Sequence, residues 1–172
     1  TYTWDVATGK MLMSNGPEFD SVIAASMSLE LGGVDQASPS RQIKLWDTQT
    51  GEEIKSIKKH TDWVTALSYS PDGVLLATGD RNGGVWVWEA QTGNEFHTLR
   101  GQNSGITAIS WRSYSNIVGT ASEDGQLIFW EMNNGGQVKK FTAHGGGTLS
   151  LDYARTGEFV TSGRNREVKI WK

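Results

Sequence analysis

Cysteine is absent from the 172 residues, which excludes disulfides and thiolate metal sites and leaves the redox compartment open. Proline is scarce at 3 residues, and histidine equally so at 3. No apolar run approaches the ~18 to 20 residues that cross a bilayer as a helix, so no membrane contact is expected. No segment repeats apolar residues at helical spacing for long enough to predict a helix. An excess of positive charge is also missing, since 16 basic residues face 19 acidic ones, for a net charge of −3 and an isoelectric point near 5.6. The basic residues are scattered, whereas a phosphate-binding surface needs a clustered positive field, so nucleic acid is not an expected partner. No leader peptide is recognisable, and localisation stays open between cytoplasm and periplasm.

What is abundant is glycine, at 21 residues, and tryptophan, at 8. The tryptophans are periodic: Trp4, Trp46, Trp88, Trp130 and Trp171 follow one another at intervals of 42, 42, 42 and 41 residues. The first four are each followed by an acid (Asp5, Asp47, Glu89, Glu131), and three copies then turn through Thr8-Gly9, Thr50-Gly51 and Thr92-Gly93. Asn134-Gly135 replaces that turn in the next copy. The chain therefore reads as one repeat domain over residues 1–172. Its units are about 5–46, 47–88, 89–130 and 131–171, with residues 1–4 ending a preceding repeat.

Within one period the pattern predicts four short strands. "VTALSYS" (residues 64–70) alternates with period two, and its final Ser begins "SPDG", a turn in which Pro fixes φ and Gly relieves it. "VLLAT" (74–78) is nearly continuous in apolar residues, as a doubly covered strand requires, and "GDRNGG" leads tightly into "VWVW" (85–88). "EFHTLR" (95–100) is more polar and reads as the outer strand. A four-stranded unit of about 42 residues has the size of a propeller blade. With the Trp-acid pairs and "KHTDWVTALSYSPDG", the sequence resembles the WD-repeat β-propeller family over essentially its whole length. The resemblance implies an all-β propeller of four-stranded antiparallel blades. Stretches such as "HTDWVTALSYSPDG" and "HGGGTLS" are similar to bacterial WD-repeat proteins, including multidomain ones carrying cytochrome-like domains.

The core is expected where innermost strands align. Val22, Val64, Ile106 and Thr148 form one column, and Met27, Tyr69, Trp111 and Tyr153 another. The Trp strands add Ile43 and Leu45, Val85 and Val87, Leu127 and Phe129, Val168 and Ile170. Between these positions, Lys44 and Lys169 align with Trp86 and Ile128. The two apolar members form either a contact patch or a surface covered by long neighbouring side chains.

The resemblance also implies a buried polar set in each blade, made of a His before the innermost strand, a hydroxyl on the second strand, the repeated Trp, and an Asp ahead of it. Its physical logic is that an indole N–H only donates, while a neutral imidazole donates once and accepts once, so a hydroxyl between them satisfies both without charge. Carried over by position, the set is His60, Thr78, Asn82 and Trp88 in one blade. In the next it is Thr120, Asp124 and Trp130, with Gln102 in the His column. In the last it is His144, Ser162 and Trp171. The first blade offers only Glu18 and Ser38.

No nucleophile converges on His60 or His144 in the sequence, and no His-rich or His-carboxylate spacing repeats, so neither catalysis, a metal nor a cofactor is expected. Functional side chains are expected on the loops that a rigid disc presents. By family resemblance, the loops carrying Asp62 and Trp63, Asp80 and Arg81, Glu123, and Arg164 share the face around the central channel. Trp63 is the leading interface anchor, the other reading being that it packs under a neighbouring loop. Residues 145–147 are three glycines, able to admit a partner's backbone or simply to hold positive φ.

The expected function is a non-catalytic scaffold that binds a protein or peptide on this face. The alternative is a substrate-binding or structural propeller subunit of a larger bacterial enzyme or cytochrome-linked assembly. Four blades would leave two apolar faces open, so either the remainder of a larger propeller or a homodimer is expected to close the ring.

Overall fold

The computed structural model describes the backbone of Tyr2–Trp4, Met11–Met13, Ile23–Gly32, Gln36–Asp47 and residues 53–172, and the side chains of residues 41–45 and 55–172. Glu18, Val22 and the turns at 8–9 and 50–51 lie outside the described residues, as do the indoles of Trp4 and Trp46.

Among the described residues every regular element is a strand, and every pairing is antiparallel between sequential neighbours. The short β1 (Tyr2–Trp4) pairs with β2 (Met11–Met13). Next come β3 (Ile23–Gly32), β4 (Gln36–Asp47) and β5 (Glu53–Ile57), a three-stranded first blade. The second blade orders β6 (Val64–Tyr69), β7 (Leu75–Asp80), β8 (Val85–Glu89) and β9 (Glu95–Leu99). The third orders β10 (Ile106–Trp111), β11 (Ile117–Ser122), β12 (Gln126–Glu131) and β13 (Gly136–Thr142). β14 (Thr148–Tyr153), β15 (Phe159–Gly163) and β16 (Val168–Trp171) make the fourth blade.

The first blade departs from the four-stranded expectation. Ile23 to Met27 pair directly with Asp47 to Ile43, and the stretch around Gly32 and Ser38 extends this same hairpin rather than forming a strand inserted between the two. Its sequence explains the difference: "GGVDQASPS" lacks the apolar run found at "VLLAT", so nothing drives it into a doubly covered position.

Local chemistry fixes the hairpins. In the Ser70–Gly73 turn, Gly73 sits at φ 73° and donates to Ser70 O, while the Asp72 carboxylate accepts from the Ser70 hydroxyl and from Val74 N. That hydroxyl is the main reason the Asp72 carboxyl titrates below its usual range.

The innermost strands of the second, third and fourth blades carry a register shift at the same place, between Val64 and Ala66, Ile106 and Ala108, and Thr148 and Ser150. A bulge re-aims the extra residue. Here Thr65 Oγ1 donates to Ile106 O at 2.5 Å, and Thr107 Oγ1 to Thr148 O at 2.7 Å, stitching each inner strand to the next.

Three apolar clusters lie between successive blades. Ile43, Leu45, Leu76 and Trp88 join the first to the second, Val85, Val87, Ile106 and Trp130 the second to the third, and Leu127, Phe129, Leu151 and Trp171 the third to the fourth. Burying one such aliphatic side chain stabilises by about 1.5 to 3 kcal/mol. Val168 and Ile170, expected in the core, are instead 69% and 72% exposed. They share with Val160 the outer face of the last sheet, where no described residue packs on them. Trp86 and Ile128 are buried within the inter-blade clusters, so they are not a surface contact patch.

Candidate functional site

The polar sets form where strands two and three of a blade meet the loop before strand one. In the second blade the Trp88 indole donates to Thr78 Oγ1 at 2.9 Å, and Thr78 lies 2.8 Å from His60 Nε2. His60 Nδ1 lies 3.2 Å from Asp80 Oδ2. Burial lowers the imidazole pKa more than the Asp80 carboxylate raises it, so His60 is neutral near pH 7. The proton order follows: Trp88 N–H donates to Thr78, the Thr78 hydroxyl donates to Nε2, and Nδ1–H donates to Asp80. Asp80 also accepts from the backbone N–H groups of Thr61, Asn82 and Gly84.

Two assignments made by position are corrected here. Asn82 is not the acceptor for His60: it is exposed, its Nδ2 donates to Thr61 Oγ1, and fully buried Asp80 takes that role. Ser162 is not the hydroxyl of the last blade. Thr161 is, 2.8 Å from His144 Nε2 and accepting from Trp171 Nε1 at 2.9 Å, while His144 Nδ1 faces Asn165 Oδ1 at 3.0 Å. The hydroxyl stands ten residues before its Trp in all three blades, so counting back from Trp171, across the 41-residue interval, would have found it.

In the third blade the structure brings Trp130 to Thr120 at 2.9 Å, but Asp124 stays apart, exposed and bonded to the Ser122 hydroxyl and Gln126 N. Gln102 donates from Nε2 to Thr120 O rather than engaging the hydroxyl.

The loop residues form an arc across the blades. Arg81 N donates to Trp63 O, Glu123 N to Gly105 O, and Arg164 N to Gly147 O, the same contact three times. A Cβ on Gly105 would come within 2.9 Å of Arg81 O, and one on Gly147 within 2.7 Å of Glu123 O. Neighbouring loops thus exclude side chains at 105 and 147. At the equivalent position of the second blade stands Trp63, 38% exposed, with the Arg81 guanidinium 5.0 Å from its ring centroid. Asp62 Oδ1 accepts from Trp63 N at 2.8 Å, and Arg164 lies 3.9 Å from Glu123. Asp80, expected on this surface, is fully buried and committed to His60.

Sequence reasoning missed Thr65 and Thr107, whose isolated threonines give no signal without the bulge. Among the described residues no group of His, Cys, Asp and Glu has the spacing to hold a metal ion. No helix there is long and apolar enough to cross a membrane.

Comparison with solved structures shows the same arrangement. The chain is 25% identical to the protein of "Structure of U3-55K" (TM-score 0.73) and to the RRP9 WD40 repeats (TM-score 0.74), each covering 77% of this chain. It spans 42% of the length of those two chains. The computationally designed Ika4 protein is 27% identical with a TM-score of 0.74, over 89% of this chain and 86% of that one. No curated protein matches the chain in sequence. The WD domain, G-beta repeat family matches residues 51–89, 93–131 and 135–172. Those three matched segments, each closing on the strand that carries the repeated Trp or within two residues of it, place the chain in the WD40 repeat family.

Proposed function

We propose that the chain is a non-catalytic interaction scaffold that binds a protein or peptide through the arc of Asp62, Trp63, Arg81, Glu123 and Arg164. The observation that carries this reading is Trp63. It is a large aromatic ring, held partly in solvent by a stacked guanidinium, at a position whose equivalents admit no side chain. Trp and Arg are the residues most enriched among interface anchors, and the acids beside them favour a partner with basic groups. A net charge of −3 favours protein over nucleic acid. His60 and His144 beside this face are committed to hydrogen bonds within the polar sets, which supports a binding role over an enzymatic one.

The test is peptide-library selection against the whole chain. Selected peptides should lose about tenfold or more in affinity with Trp63→Ala, as an anchor residue does. Peptides whose affinity is indifferent to Trp63→Ala and Arg81→Ala together would remove the reading.

A second reading concerns assembly, and Val160, Val168 and Ile170 favour it. In the second and third blades the residues equivalent to Val168 and Ile170 are buried against the next sheet. We read the bacterial-type chain as four WD units, about 5–46, 47–88, 89–130 and 131–171, whose last face is covered by further blades or by a second copy. A homodimer predicts doubled molar mass in light scattering, reverting to single mass with Ile170→Asp. A monomer whose mass is unchanged by that substitution assigns the face to blades of a longer protein.

A further inference from the structure

At the end of the strands away from Trp63, the turns after β6 and β10 are built alike and then diverge. Ser70 N donates to Leu75 O and Arg112 N to Ile117 O, so the two hairpins close at the same length. In the second blade the left-handed backbone falls on Gly73, at φ 73°. In the third, Ser115 stands in the glycine's place and Tyr114 carries the left-handed conformation instead, at φ 56°. A residue with a Cβ enters that region only at a cost, and such strain concentrates where a site uses it. Packing does not offset the cost here, because Tyr114 is 93% exposed.

Between these two turns lies a cleft of about 340 Å³, with Pro71, Asp72 and Leu75 on one wall and Tyr114 and Asn116 on the other. Buried Trp111 also lines it, and its indole donates across to Ser68 O at 3.0 Å, which holds the third blade's turn against the second's. A space of that volume is about 7 Å across, so one long side chain entering it meets both walls. Among its lining residues Asp72 alone is charged, and it is exposed. The Ser70 hydroxyl and Val74 N–H both bond its Oδ1, which leaves Oδ2 to a ligand. These hydrogen bonds, with no cation among the causes, hold its carboxyl below the usual range, so it is ionised at neutral pH. Arg112, the cation of the facing turn, lies toward the fourth blade, where a Cβ on Gly157 would come within 3.4 Å of its Nη2.

We propose that this cleft binds an arginine side chain of a partner protein, its guanidinium stacking on the Tyr114 ring and donating to Asp72 Oδ2, its methylenes lying along Pro71 and Leu75. An exposed aromatic face beside an unpaired carboxylate selects a planar cation, which can stack and donate at once, whereas a lysine ammonium offers no plane. The net charge of −3 favours a basic partner in the same sense. The cleft shares no residue with the Trp63 arc, so the two readings stand or fall separately.

The experiment uses the full chain with ¹³C-labelled tyrosine rings and follows the Tyr114 ring resonance, assigned by its disappearance in Tyr114→Leu. N-acetyl-arginine N-methylamide is titrated beside its neutral citrulline counterpart. The arginine probe should shift the resonance saturably and bind about fivefold more tightly than the citrulline one. Asp72→Asn, which keeps an acceptor for Ser70 and Val74, should reduce that preference to about twofold. Tyr114→Gly removes the ring and relieves the left-handed strain together, so binding, read from the surrounding amides, should be lost while the urea midpoint holds or rises. Equal binding of the two probes, no saturable shift with either, or a urea midpoint that falls with Tyr114→Gly would each overturn the proposal.

Discussion

The second and third blades have the same four strands and the same Trp-to-Thr hydrogen bond of 2.9 Å, yet differ in the side chains that extend the set beyond it. In the second blade the threonine leads on to His60 and a carboxylate, all fully or nearly buried. In the third, Gln102 bypasses the hydroxyl, and Asp124 remains in solvent beside Ser122. The fourth keeps the histidine and replaces the carboxylate with Asn165. The lesson is that the indole-hydroxyl bond is common to the three blades because the two groups sit on paired neighbouring strands, with the hydroxyl buried in each. The histidine and acid are additions, each needing its own satisfied partners.

The comparison can be broken most forcefully at Asp80. Asp80→Ala strips partners from His60 Nδ1 and from the N–H groups of residues 61, 82 and 84, and should cost about 3 kcal/mol or more in urea unfolding. Ser122→Ala, its counterpart eight residues before Trp130, should cost about 1 kcal/mol. Equal losses would mean that the two blades are not differently wired.

A smaller contrast is expected between Thr78→Val and Thr120→Val. The first orphans both the Trp88 indole and His60 Nε2, at about 2 to 3 kcal/mol, and the second orphans the Trp130 indole alone, at about 1 kcal/mol.

Acid sharpens the same difference. The folded-state pKa of His60 is lowered from 6.5, chiefly by burial, so below that value the unfolded chain takes up a proton that the folded chain resists. Its contribution is complete above about 6.5 and is lost as pH falls from there through the lowered value. His60→Gln, which copies the third blade, should flatten the stability profile between neutral and mildly acidic pH. An unchanged slope would refute a neutral, buried His60.

The smallest effect is expected at the exposed Lys59–Glu95 pair. Lys59 and the Thr98 hydroxyl hold the Glu95 carboxyl below its usual range, yet solvent screens the pair, and Glu95→Gln should change stability by less than about 0.5 kcal/mol.

The fold class and the inter-blade role of Trp88, Trp130 and Trp171 were readable from the sequence, because each repeats at a fixed offset and periodicity is a one-dimensional signal. Thr161 was hidden by the single-residue shortening of the last interval. Asp80 was hidden because two polar residues stand near each other in the loop, and only the path of the backbone selects one of them. Val168 and Ile170 match the core columns in type and spacing but lack a neighbouring sheet, which no local pattern records.

By itself the sequence determined the short strands and turns of the second to fourth blades and most of their apolar columns, since these depend on residues a few positions apart. Only the tertiary structure decided which polar atoms meet, which threonines cross to the next blade, and which apolar face stays uncovered. Those outcomes depend on contacts between residues some 20 to 40 positions apart, whose geometry is set by how whole sheets stack.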